Sequence, residues 1–189
     1  MGQTVSNFAS FLWSAFLSAP KPSEPGYKLR QAAFTAAEKA RLASQQSQSA
    51  YHAGDHPSAR KFSTLSKSHW NECNRLNAQA ETEIFTHHNP SYPGDLSRID
   101  LHGLLVKEAI ARVEKHVALC KVRGLRRTVV VTGWGSHSKD GMAKIKPAIH
   151  ELCQRERLRV LVDEPNVGCI TVEIGVAQGN AGKDSCSMM

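Results

Sequence analysis

Residues Thr128 to Cys153 read TVVVTGWGSHSKDGMAKIKPAIHELC, and this stretch limits the fold more than any other. Its unbroken β-branched run predicts a buried strand, and the amphipathic segment with an early proline predicts a helix. Between them stands a loop with glycines at positions 133 and 135. A strand that runs through glycines into a helix is half of a βαβ unit, so neighbouring segments have to supply more strands.

They do. RIDLHG, Arg98 to Gly103, predicts a short strand with Ile99 and Leu101 on one face. Val106, Ala109, Ile110, Val113, Val117 and Cys120 form a helical stripe, and a second helix is expected over Pro147 to Arg157. LRVLV and GCITVEI read as two closing strands joined through DEPNVG. The order βαβαββ over residues 97–174 predicts a two-layer α/β sandwich.

Residues 27–90 read differently, as two long helices, so the class is α+β with an N-terminal helical hairpin. Leu29, Ala33, Ala36, Ala40 and Ala43 recur at helical spacing, and Gly54 stops the pattern. Asp55 ahead of Pro57 is a start signal for the next helix. Ala59, Phe62, Leu65, Trp70, Cys73, Leu76, Ala80 and Ile84 then form its apolar stripe. Small residues on one helix facing large ones on the other predict a closely packed antiparallel pair. Residues 1–26 are an apolar, aromatic segment followed by a proline-rich linker, and 175–189 form a small polar tail expected to be disordered.

A formal charge of +7 points to a polyanion or an acidic membrane surface as partner. The five cysteines are odd in number and contain no CxxC pair, and Cys73, Cys120 and Cys153 fall on apolar helix faces. That usage argues against a disulfide scaffold or a zinc finger, and for a reducing compartment. With no N-x-[ST] sequon either, the expected location is cytoplasmic. Met1 to Leu17 lacks a basic start and is short for a membrane-spanning helix.

The residues that carry chemistry lie at the ends of two predicted strands. Asp100 and His102 are two apart on a strand, which sends both side chains from one face about 7 Å apart. The loop Gly133-Trp134-Gly135 leaves another strand end, and a right-handed crossover brings the two ends together. Glycines there let backbone amides approach an anion, and the following helix directs its positive end the same way. Ser136, His137, Lys139, Lys144 and Lys146 add donors and positive charge, while Trp134 can stack on a base. A phosphodiester fits such a place, with Asp100 or His102 as general base and a histidine as general acid.

These residues resemble the Smr (small MutS-related) domain. IDLHG at 99–103, VTGWGSHSKDGMAKIKPAI at 131–149 and the two closing strands carry the likeness, and the second motif follows the eukaryotic form TGxGxHSxxGxxxIKPA. The helices ahead of it are similar to the DUF1771-like extension of eukaryotic members, through SQSAYHAGDHPSARKFSTLSKSHW and AETEIFTHHN. The resemblance implies a fold similar to the C-terminal domain of translation initiation factor three. It also implies nucleic-acid binding and endonuclease or nicking activity, with RNA favoured over DNA. Asp100 and His102 match the acidic and histidine positions of the family's LDLHG motif, and Gly133 and Gly135 match its second glycine motif. Bacterial members usually carry histidine where Thr132 stands, and His137 is the nearby replacement. With Asp100 the one obvious carboxylate, a divalent cation such as magnesium would be held loosely, its shell completed by water and substrate phosphates.

The two ends carry modification patterns. MGQTVS fits N-myristoylation at Gly2, and CSMM fits prenylation at Cys186. An acyl chain backed by Phe8, Phe11, Leu12, Trp13, Phe16 and Leu17 predicts membrane association. Three functions follow: an endonuclease, a non-catalytic RNA- or ribosome-binding adaptor whose helical extension recruits a partner, or a membrane-tethered interaction protein.

Overall fold

The computed structural model describes residues 23–133 and 143–175. The chain divides into two units, residues 1–90 and 91–189.

The first unit is a hairpin of α1 (Tyr27–His52) and α2 (His56–His88). Asp55 starts α2 by accepting the Ser58 amide at 3.1 Å, which satisfies one of the unpaired donors at the helix start. Three contacts set the register between the helices. The Ser47 hydroxyl donates to the Ala59 carbonyl at 2.8 Å, and the Ser66 hydroxyl donates to the Ala40 carbonyl at 2.9 Å. A Cβ on Gly26 would lie 3.2 Å from the Ala80 carbonyl oxygen. Positions 26, 33, 40 and 47 therefore run against 80, 73, 66 and 59, and every one of the eight is Gly, Ala, Ser or Cys. A seven-residue repeat keeps one seam facing the partner helix. Because a serine side chain is short, it reaches a facing main-chain carbonyl only when the backbones are close, and small residues permit that.

This seam explains where the expected stripe of α2 departs from the observed one. Leu65 and Trp70 are 43% and 39% exposed, whereas Ser66 is buried. Close approach selects the small residue for the seam, and the large ones are turned to its flanks.

The second unit runs β1 (Arg98–Asp100), α3 (Val106–Val122), β2 (Arg127–Val131), α4 (Ile145–Arg155), β3 (Arg159–Val162) and β4 (Cys169–Glu173). The sheet order is β1-β2-β4-β3. β1 and β2 are parallel, with Asp100 opposite Val131, and the other two pairings are antiparallel. Ile99, Val130, Ile170 and Val172 meet Val113, Cys120, Ile149 and Cys153 in a fully buried core. Burying side chains of this size contributes roughly 1.5–3 kcal/mol each. α4 begins at Ile145 and not at Pro147, because a proline in the first helical turn removes an amide that would be unpaired there anyway.

Both helices lie on one face, since α3 and α4 touch each other and the His116 imidazole reaches Thr128 on β2 at 2.8 Å. Register puts Arg98, Asp100, Arg127, Val129, Val131, Cys169 and Thr171 on the opposite face. There the β3–β4 connection folds back over β4, where the Thr171 hydroxyl donates to the Glu164 carbonyl at 3.0 Å.

Candidate functional site

β1 stops at Asp100 because the chain turns. The Leu104 amide donates to the Leu101 carbonyl at 3.2 Å, and Gly103 takes φ +81°, as the third position of a type II turn demands. This changes the expected geometry of the acid and the imidazole. They are not strand neighbours about 7 Å apart, as an extended chain would have them. The turn carries His102 back so that its Nδ1 lies 2.6 Å from Asp100 Oδ1, and its backbone amide donates to the same oxygen at 3.1 Å.

The second strand end arrives beside them. The Leu101 amide donates to the Val131 carbonyl at 2.9 Å, which extends the parallel ladder one residue past β1. Two residues on, Gly133 has φ +75°, and a Cβ there would stand 3.3 Å from the Cβ of His102. Any other residue would be strained and would press on the histidine. The two strand ends expected to converge do so, at His102 and Gly133.

Asp100 is largely covered, with 13% of its side chain exposed, while that of His102 is 43% exposed. The Arg98 guanidinium lies 3.7 Å from the other carboxylate oxygen. A carboxylate accepts and does not donate, so its partner Nδ1 carries the proton, and the basic lone pair of the neutral imidazole is on Nε2. An acid that orients an imidazole and stabilises its charged form is a general-base arrangement.

Other predicted residues take different places. The Gly133 amide donates to the Gly168 carbonyl at 3.2 Å, so this glycine serves by admitting His102 and not by offering its amide to an anion. Thr132 is buried, and its hydroxyl and amide both donate to that same carbonyl, at 3.1 and 2.8 Å. Thr132 is thus a latch for the β3–β4 connection. The Lys146 ammonium is engaged by Asp163 and by the Val167 carbonyl, which latches the same loop. Lys144 is exposed at the start of α4. Trp134, Gly135, Ser136, His137 and Lys139 lie outside the described residues, as do Gly2 and Cys186. Among the described residues, no three His, Cys, Asp or Glu side chains gather into a metal cage, and no helix is long and apolar enough to cross a membrane.

Arg98 was not among the predicted site residues. Strand alternation was the signal that would have found it, since position 98 shares a face with position 100.

Two family descriptions match the chain. One, Smr domain, matches residues 99–168, and the other, a domain of unknown function (DUF1771), matches residues 27–89. Endonuclease NBR9 of Saccharomyces cerevisiae is 33% identical over 147 residues, covering 78% of this chain and 60% of that protein. A Smr domain-containing protein of Schizosaccharomyces pombe is 31% identical over 132 residues, 70% of this chain and 63% of that one. The chain thus spans a little under two thirds of the length of these relatives. The solution structure of the B3BP Smr domain aligns with a TM-score of 0.41 and 30% identity, covering 52% of this chain and 95% of that one. With a DUF1771 region at 27–89 leading into an Smr domain at 99–168, the chain belongs to the Smr-domain proteins.

Proposed function

We propose that this chain is a nucleic-acid-binding endonuclease that cleaves or nicks phosphodiesters, with RNA the favoured substrate. The observation that carries the reading is the 2.6 Å contact between Asp100 and the Nδ1 of His102, placed where two parallel strands end. Nε2 of His102 takes the proton from an attacking hydroxyl, the new oxygen–phosphorus bond forms as the old one breaks, and the leaving oxygen takes its proton from solvent water. Asp100 stabilises the imidazolium in between. General-base catalysis of this kind is worth about 10²- to 10⁴-fold.

RNA is favoured on chemical grounds. Its 2′-hydroxyl is a nucleophile that the substrate itself positions, so a base is the main thing the protein has to add. The name of the yeast relative, endonuclease NBR9, agrees with the reaction class. A formal charge of +7 agrees with the substrate class.

The test is incubation of the full chain with single-stranded and structured RNA and DNA, with and without magnesium, reading the product ends. RNA fragments ending in a cyclic 2′,3′-phosphate are expected. Binding that weakens with salt but yields no product with any divalent ion would leave the adaptor reading in place of this one.

A further inference from the structure

The helix-free face of the sheet holds a groove of about 540 Å³. Its floor is Val129 on β2, one wall is β1 with Arg98, and the other is the β3–β4 connection with Pro165 and Asn166. Within this unit both helices pack on the other face and the loop folds over β4, so among the described residues of the unit none covers the β1–β2 half.

The groove has the chemistry of a nucleotide site. Arg98 and Arg127 line it, the first with 63% of its side chain exposed and the second also exposed. Arg127 makes no ion pair among the described residues. Arg98 stands opposite Val129, two residues beyond Arg127, so one strand spacing and two residue rises set the arginines about 8 Å apart. Flexible guanidiniums at that spacing can each meet a backbone phosphate. Asn166 spends its carboxamide oxygen on the Gly168 amide at 2.9 Å, which leaves its NH₂ as the group it offers. Val129, Pro165 and Cys169 supply an apolar bed for a flat ring.

Arg98 links the groove to the reactive pair, since it lines the groove and its guanidinium lies 3.7 Å from Asp100. Its volume suits one small ligand and not a duplex. An acidic peptide would use the arginines but bring no planar group for the floor.

We infer that this groove is a subsite for one unpaired nucleotide next to the bond presented to Asp100 and His102, with Arg98 and Arg127 on its phosphates and its base over Val129 and Pro165. The inference rests on the nucleic-acid reading above and extends it.

The test measures binding of a fluorescent single-stranded RNA to the full chain over a range of salt. Arg127→Ala is expected to weaken binding about tenfold and to lower the salt slope by about one, with Arg127→Lys recovering part of the loss. Lys115→Ala, on the helix-covered side, is expected to bind as wild type does. Oligonucleotides carrying 4-thiouridine are expected to photo-crosslink to β2 or to the β3–β4 connection. Unchanged binding by Arg127→Ala, an equal loss in Lys115→Ala, or adducts confined to other segments overturns the subsite. So does a glutamate-rich peptide that displaces RNA from wild type by occupying the groove. The broader reading is tested separately: Asp100→Asn that loses cleavage and keeps binding sustains it even if the subsite falls. Asp100→Asn and His102→Ala that both cleave normally sink it.

Discussion

Replacing Asp100 with asparagine is expected to lower RNA cleavage by about 10³- to 10⁴-fold while leaving RNA binding near the wild-type level. The side chain keeps its shape, so the turn survives, but the hydrogen bond changes character. A carboxylate forces the proton onto His102 Nδ1, 2.6 Å away. An amide can present its NH₂ instead, which moves the proton to Nε2 and removes the base from the side that meets substrate. It also withdraws the charge that stabilises the imidazolium. His102→Ala removes the base itself and is expected to cost a similar factor. The double variant should be no worse than the more damaging single one, because the two act as a unit. Single-turnover cleavage at saturating protein checks all three, and a loss under threefold in either single variant contradicts the assignment.

Acid is expected to destabilise the Smr domain through His116 as pH falls below 6.5. This imidazole is fully buried, and Nε2 meets the Thr128 hydroxyl at 2.8 Å. That hydroxyl already donates its one proton to the Leu96 carbonyl at 2.9 Å, so Nε2 is the donor toward Thr128. Nδ1 then carries a lone pair with no hydrogen-bond partner among the described residues. Burial holds the charged form off and pushes the pKa from 6.5 down to about 4, against a smaller opposing pull from Asp95. The folded state therefore favours neutral imidazole. Its stabilisation is complete above pH 6.5 and is lost as pH falls toward 4. A gap of that size corresponds to about 3 kcal/mol. Asp95 loses its own contribution only at lower pH, since hydrogen bonds from Ser97 hold its carboxyl below the usual range. Urea unfolding of wild type at pH 7 and 4.5 should show most of the loss. His116→Gln, which can still donate to Thr128, should show little of it. An equal acid loss in both proteins removes His116 as the cause.

The helices and strands were legible because their periods are local. Val113, Val117 and Cys120 repeat every three or four residues wherever the rest of the chain goes, and Ile99 alternates with Arg98 and Asp100 by strand geometry alone. What was not legible depends on close contacts between distant residues. The pairing of Ser66 with Ala40 and of Ser47 with Ala59 places small residues in the seam and turns Leu65 and Trp70 outward, and this register involves both helices at once. The same holds at the site. LDLHG-like spacing pointed to Asp100 and His102, but a strand-like reading missed the turn at Gly103 that joins them. The demand for glycine at 133 was visible, yet its cause was misread. The reason is the nearness of His102, while the amide is spent on Gly168. Lys146 looked like a guide for phosphate because its engagement with Asp163 spans 17 residues and no local pattern announces it.

The central claim is that Asp100 holds His102 as a base at a place where nucleic acid binds. Long-range ¹H–¹⁵N NMR of the His102 ring tests it most directly, in the free protein and with an uncleavable single-stranded oligonucleotide. Expected are a proton on Nδ1, an unprotonated Nε2, and ring resonances that move on addition of the oligonucleotide and return at high salt. A proton on Nε2, or a ring that stays unmoved while the oligonucleotide binds elsewhere, contradicts it.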